Sequence, residues 1–194
     1  MITDYISKEK VRSLFLPVTK RLAASGVSPN ALTVLGFAMV VGSACVLGAG
    51  YRQLGGVLFL VTTAFDLFDG AVAQLTDRKT RFGAFLDSNL DRYAEIAIYL
   101  GLLFPYAVQG AVTETVLCYL ALTGSLMVSY ARARAEGLGL SGEVGLFQRP
   151  ERVIILGLGL ILNWVLPVLV ILAVVTYLTA LQRMWHVWKL TGGK

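Results

Sequence analysis

Long apolar segments without charge recur along this chain and restrict the folds that are open to it. Several run for about 18 residues or more, which is the length of a membrane-spanning helix. Of the 194 residues, 56% are hydrophobic and only 15% are charged, a balance that soluble domains seldom show. We therefore predict an all-α integral membrane protein with six transmembrane helices and an N-terminal amphipathic surface helix.

The breaks between the apolar segments set the expected helix limits. Ser28 is a candidate N-cap for the first span and Pro29 suits its first turn, whereas Phe104-Pro105-Tyr106 is expected to end the third. A glycine-rich loop over 136–145 separates the fourth span from the fifth. The predicted spans are about 30–49, 54–75, 80–103, 108–134, 147–162 and 165–188.

Residues 1–25 differ in character from the rest of the chain. Basic side chains alternate there with apolar ones at three- and four-residue steps, which is typical of a helix lying on a membrane surface, and Pro17 is expected to kink it. We predict two regions: a juxtamembrane segment, 1–25, and a membrane domain, 26–194.

Positive charge is distributed unevenly between the predicted loops. An even number of spans places both termini on one side, and nearly all Lys and Arg residues outside the spans share that side, whereas Arg52 lies on the other. Such a bias marks the cytoplasmic side, so we predict a cell-membrane protein with its termini and active site facing the cytoplasm. The net charge of +5 favours anionic substrates, while nucleic acid is not an expected partner because no soluble basic face is present.

Two pairs of aspartates are embedded in this apolar sequence. Asp66 and Asp69 are three residues apart, and Asp87 and Asp91 are four apart, so each pair lies on one face of a helix. A helical hairpin around the polar turn 76–80 would bring the pairs together. Four neighbouring carboxylates repel one another unless cations lie between them, which predicts a Mg²⁺ or Mn²⁺ site rather than zinc. A proton or cation transporter is the alternative from another class of protein.

The aspartates belong to a longer pattern, Asp66-x-x-Asp69-Gly70-x-x-Ala73-Gln74, then eight residues, then Gly83-x-x-x-Asp87-x-x-x-Asp91. This pattern resembles the signature of the CDP-alcohol phosphotransferase family. One position departs from it, since Gln74 stands where the family usually has an arginine that helps to hold the nucleotide phosphates.

The resemblance implies transfer of a phosphatidyl-type group from a CDP-linked lipid to an alcohol, with release of CMP, and relatives are homodimers. It implies two divalent ions per active site, with the four aspartates as ligands. Asp91 is our candidate general base, because the acceptor hydroxyl must lose its proton as it attacks phosphorus. The residues expected at the nucleotide are Pro29, Asn30, Thr33, Asp66, Gly70, Ala73, Gln74 and Gly83.

Four arginines near the predicted helix 4–5 loop bear on the acceptor. Arg132, Arg134, Arg149 and Arg152 stand in stretches that resemble phosphatidylinositol phosphate synthases and their archaeal relatives, which implies a clamp for the phosphate of inositol phosphate. Arginines that only set membrane topology are the alternative, as is glycerol 3-phosphate as acceptor in a phosphatidylglycerophosphate synthase. Glu95, one turn beyond Asp91, is expected to orient Arg92 or a substrate hydroxyl, or to form a structural ion pair.

Overall fold

A computed structural model describes Arg21, residues 26–76 and residues 80–192, without the side chains of residues 66–70. Apart from Arg21, the predicted surface helix over 1–25 lies outside the described residues, as do the residues 77–79 of the polar turn. The predicted all-α fold is confirmed, because no strand occurs within the described ranges and six long helices do. They are α1 (Pro29–Gly48), α2 (Arg52–Leu75), α3 (Arg81–Val108), α4 (Val112–Gly137), α5 (Arg149–Ile161) and α6 (Val165–Leu190).

Hydroxyl side chains cap two of the helices that approach the site. The Ser28 hydroxyl accepts a hydrogen bond from the backbone N–H of Ala31 at 3.2 Å, which confirms the predicted N-cap of α1. The Thr80 hydroxyl accepts one from the N–H of Gly83 at 2.9 Å and begins α3. Each cap satisfies a backbone donor that has no partner inside its own helix.

Proline 105 does not end the third helix, so that prediction was wrong. α3 continues to Val108, and the Pro105 carbonyl accepts from the N–H of Gln109 at 3.1 Å. The next turn carries Tyr106, which is buried in the core, and the Arg52 guanidinium lies 4.9 Å from its ring centre. Packing of this last turn maintains the helix beyond a residue that lacks one backbone donor. As a result α4 starts at Val112, later than predicted.

Within the described residues, three helices are long and apolar enough to cross a membrane: α1, α4 and α6. In α2 the apolar stretch Arg52–Phe65 ends where the description of the side chains stops, and α5 has only 13 residues. At 1.5 Å per residue, α5 is about 20 Å long, less than the thickness of a bilayer core. The chain is therefore an integral membrane protein, and the count of six spans stays a prediction.

Helix packing forms one apolar core and brings α2, α3 and α5 around one polar region. α1 packs on α2 and α3, α4 on α3 and α6, and α5 on α2 and α6. Close crossings depend on small residues, since a Cβ at Gly101 would collide with the backbone of Ala44. The most deeply buried core side chains include Val40, Leu47, Ile98, Leu102, Leu160, Leu169 and Leu172.

Candidate active site

A narrow cavity with both polar and apolar lining lies where α2, α3 and α5 approach one another. Its volume is about 20 Å³, room for roughly one water molecule. Phe59 and Thr63 of α2 form one wall, and charged side chains of α3 and α5 form the others. Its polar lining is supplied by Thr63, Asp91, Glu95, Tyr99, Arg149 and Arg152.

Two ion pairs connect α3 to α5 across this cavity. Arg149 Nη2 lies 2.6 Å from Asp91 Oδ1, with both side chains partly exposed. One turn further into the bundle, Arg152 Nε and Nη2 donate to Glu95 Oε1 at 3.2 and 3.1 Å, and both side chains are largely buried. The carboxylates are four residues apart on one helix and the guanidiniums three apart on the other, so the two pairs stack along the helix axes.

Of the expectations for Glu95, the structure shows an ion pair, and its partner is Arg152. Arg92 instead donates to the backbone carbonyl of Ser88 at 2.8 Å and reaches Asp91 Oδ2 only at 3.4 Å. Its bond to its own helix keeps Arg92 beside Asp91, whereas Glu95 lies one turn deeper.

The structure describes the side chains of only some of the four predicted metal ligands. Asp66 and Asp69 lie in α2, but their side chains are outside the described residues. Asp87 is half-buried and has no hydrogen-bond or ion-pair partner within the described part of the chain. Three or more metal-ligating side chains do not come together among the residues described. The partly desolvated carboxylate of Asp87 fits an all-oxygen Mg²⁺ or Mn²⁺ site.

Two of the predicted nucleotide residues meet where α1 and α3 begin. A Cβ at Gly83 would lie 3.0 Å from Asn30 Oδ1, so the absence of a side chain permits this close approach. The Thr33 hydroxyl donates to the Pro29 carbonyl at 3.1 Å within the first turn of α1. On α2, Ala73 is half-buried and Gln74 exposed, while Gly70 lies in the helical stretch 66–70, whose side chains are not described.

The four arginines predicted as a phosphate clamp do not all line this cavity. Arg149 and Arg152 do. Arg132 is held by two glutamates, with Nε 2.7 Å from Glu136 Oε1 and Nη2 2.7 Å from Glu143 Oε1. Arg134 lines a separate, mainly apolar groove of about 370 Å³ between α4 and α6.

A further cation, Arg183 of α6, was not among the site residues predicted from the sequence. Its side chain is 3% exposed, and it donates to the carbonyls of Val144 at 2.7 Å and Val128 at 2.6 Å. No carboxylate pairs with the Arg183 guanidinium within the described residues. The positive charges of Arg132 and Arg152 also repel it. The available signal was a lone arginine within an otherwise apolar helix, which commonly marks a functional position.

The sequence model of the CDP-alcohol phosphatidyltransferase family matches residues 26–188, which include all the helices around the cavity. The chain belongs to this family. The predicted family and enzyme class are therefore confirmed, and the transporter alternative loses its support because the aspartates belong to the family's own signature.

Curated relatives of this phosphatidyltransferase match it along nearly their whole length. An archaetidylinositol phosphate synthase of Methanothermobacter thermautotrophicus is 38% identical over 189 residues, covering 92% of this chain and 91% of that protein. The enzyme of the same name from Pyrococcus horikoshii is 34% identical, covering 92% and 93%. A phosphatidylinositol phosphate synthase of Mycobacteroides abscessus is also 34% identical, covering 94% and 87%.

Solved structures of one relative share its fold. The phosphatidylinositol phosphate synthase of Mycobacterium tuberculosis with CDP-DAG bound aligns with a TM-score of 0.84 and 31% identity, covering 89% of this chain and 92% of that one. The same enzyme in complex with manganese and citrate aligns with a TM-score of 0.84 and 32% identity, covering 89% and 88%.

Proposed function

We propose that this phosphatidyltransferase transfers a phosphatidyl-type group from a CDP-linked lipid, CDP-diacylglycerol, to a hydroxyl of inositol phosphate and releases CMP, as a step of phospholipid biosynthesis. The observation that carries the proposal is the likeness, over most of both chains, to a phosphatidylinositol phosphate synthase with CDP-DAG bound. The archaeal relatives, archaetidylinositol phosphate synthases by name, support the same acceptor.

Asp66, Asp69, Asp87 and Asp91 are the proposed ligands of two divalent ions, Mg²⁺ or Mn²⁺. Position 66 follows the cavity residue Thr63 by three residues of one helix, which supports its placement near Asp91. Manganese in the related enzyme supports the use of a divalent ion. When bound, the ions supply charge neutralisation for the diphosphate and its CMP leaving group.

The nucleotide is proposed to lie against the N-terminal turns of α1 and α3 and the C-terminal part of α2. The close approach of Gly83 to Asn30 supports this location, since small residues let a ligand reach the backbone. Gln74 can donate a hydrogen bond to a phosphate oxygen, but it brings no charge. The proposed contacts are those predicted from the sequence: Pro29, Asn30, Thr33, Asp66, Gly70, Ala73, Gln74 and Gly83.

Asp91 is proposed to accept the proton of the attacking hydroxyl. In the structure Arg149 covers its Oδ1 atom at 2.6 Å, so proton transfer to that oxygen requires Arg149 to turn away. An acceptor that carries a phosphate offers the guanidinium a strong alternative partner, because its fork matches phosphate oxygens. Binding of the acceptor and exposure of the base are thereby linked.

The acceptor phosphate is proposed to bind among the predicted arginines, Arg132, Arg134, Arg149 and Arg152, with Arg183 as a further candidate. The repulsion of Arg183 by Arg132 and Arg152 supports binding of an anion near Arg183. Burial of Arg183 with only carbonyl acceptors adds to this preference.

We propose that all six helices of the domain over 26–194 traverse or enter the bilayer, with the segment 1–25 on its surface. The cavity then opens to the cytoplasm, where the charged helix ends lie, and the enzyme works as a homodimer in the cell membrane. The excess of Lys and Arg at this end supports the orientation.

An acceptor panel tests the proposal. Purified enzyme in lipid with CDP-diacylglycerol and Mn²⁺ is given inositol phosphate, glycerol 3-phosphate, inositol, serine or no acceptor, and CMP release is measured. The proposal predicts release with inositol phosphate well above every other arm. Preference for glycerol 3-phosphate would make it a phosphatidylglycerophosphate synthase, and release with inositol or serine alone would contradict a phosphate-dependent acceptor site.

A further inference from the structure

We infer that Glu95 is a positioning residue that fixes the guanidinium of Arg152 in the orientation in which it binds the acceptor's phosphate. The inference rests on the proposed function, because it assigns a role to a side chain behind the acceptor site. Glu95 would not touch the substrate itself.

The geometry of the pair is that of a fixed support. Oε1 of Glu95 accepts from Nε and Nη2 of Arg152 at 3.2 and 3.1 Å, and Oε2 lies 3.5 Å from Nη2. Only 2% of the Arg152 side chain and 12% of the Glu95 side chain are exposed. One carboxylate therefore holds a whole edge of the guanidinium in a setting where water competes little.

The opposite corner of the guanidinium is the part left for a ligand. Nη1 reaches only the Phe147 carbonyl, at 3.5 Å, the long limit for a hydrogen bond. A guanidinium has five N–H donors, and those on Nη1 are the least well satisfied here. Arg152 lines the cavity, and on this inference its Nη1 corner is the donor that a phosphate oxygen would use.

The position of Glu95 along α3 connects this support to the proposed base. Glu95 lies four residues beyond Asp91, a rise of about 6 Å along one rigid helix. Because α3 carries both carboxylates, the pair sets the depth of Arg152 relative to Asp91. An acceptor whose phosphate is bound at Arg152 would then present its hydroxyl to Asp91.

Two other roles for Glu95 make different predictions. A merely structural pair changes protein stability and leaves the KM for the acceptor unchanged. A carboxylate that only offsets charge weakens phosphate binding, so its removal lowers that KM. Only the positioning role predicts that the KM for the acceptor rises when Glu95→Gln removes the charge and keeps the shape of the side chain.

The test uses the full chain in lipid, with Glu95→Gln, Arg152→Gln, the double variant and Glu95→Asp. We expect Glu95→Gln to raise the KM for inositol phosphate about tenfold or more, with the KM for CDP-diacylglycerol almost unchanged. The double variant should be no worse than Arg152→Gln alone, because Glu95 acts only through Arg152. Glu95→Asp, which keeps the charge, should recover part of the loss.

Glu114→Gln, at the opposite end of the bundle, is the matched control, and donor-induced thermal stabilisation verifies folding. Should Glu95→Gln not fold, the neutral double variant and Glu95→Asp carry the comparison. An unchanged or lowered acceptor KM, or losses that simply add in the double variant, would overturn the inference. If the wild type prefers glycerol 3-phosphate, the proposed acceptor fails, while the same kinetics with that phosphate still test Glu95.

Discussion

The two ends of the helix bundle differ in what fills the space between the helices. Around Leu47, Leu102 and Leu160 the interior is apolar, and helices cross in contact at small residues such as Gly101. At the other end, carboxylates and guanidiniums line the cavity between α2, α3 and α5. The comparison indicates that the apolar end supplies the stability that holds costly charges in place at the polar end.

The largest effect is expected from a substitution at the polar end that removes a reactive group and keeps the shape of the side chain. Asp91→Asn keeps the size of the side chain and removes the proposed base. We expect the rate of CMP release to fall by about 10²–10⁴-fold, with the melting temperature nearly unchanged. Glu114→Gln, a carboxylate remote from the cavity, should retain near wild-type activity. Full activity in Asp91→Asn would remove the base from the mechanism.

A change at the apolar end should have the reverse effect. In Gly101→Val the new side chain meets the backbone of Ala44, which cannot yield as a flexible side chain would. We expect a loss of about 1–3 kcal/mol of stability, seen as a lower melting temperature, while the protein that stays folded keeps its kcat. Gly48→Ala is the control, because its Cβ would have ordinary contacts at 3.8 Å. An equal loss of stability in both variants would show that this crossing is not tightly packed.

The smallest expected effect concerns the departure from the family pattern on α2. Gln74→Arg restores a charge near the proposed nucleotide phosphates, and one charge-assisted hydrogen bond supports a decrease in the KM for CDP-diacylglycerol of about threefold to tenfold. Gln74→Met, similar in size and uncharged, should not lower this KM. A KM that Gln74→Arg leaves unchanged would place position 74 away from the phosphates.

Periodicity and capping made most of the helices predictable, and the errors have local physical causes. Pro105 signals a helix end, yet burial of Tyr106 stabilises one more turn. No local pattern indicates that Glu95 and Arg152, 57 positions apart, form a pair, because the pairing depends on how the bundle places α5 beside α3.

The arginines show the same limit at the site. Arg132 and Glu136 are four residues apart on one helix, so their pairing is readable from spacing. The burial of Arg183 depends on the loop before α5, whose Val144 carbonyl accepts from it. The motif aspartates were recognisable because their spacing is itself the signal.

If α2 and α3 jointly hold two divalent ions with their four aspartates, both helices must contribute to metal binding. Counting bound Mn²⁺ by electron paramagnetic resonance, in the wild type and in single Asp66→Asn, Asp69→Asn and Asp87→Asn variants, tests it most directly. We expect two spin-coupled Mn²⁺ ions per chain in the wild type. Mn²⁺ binding should be lost in variants of either helix. Unchanged Mn²⁺ binding after substitution on one of the helices would contradict a shared site.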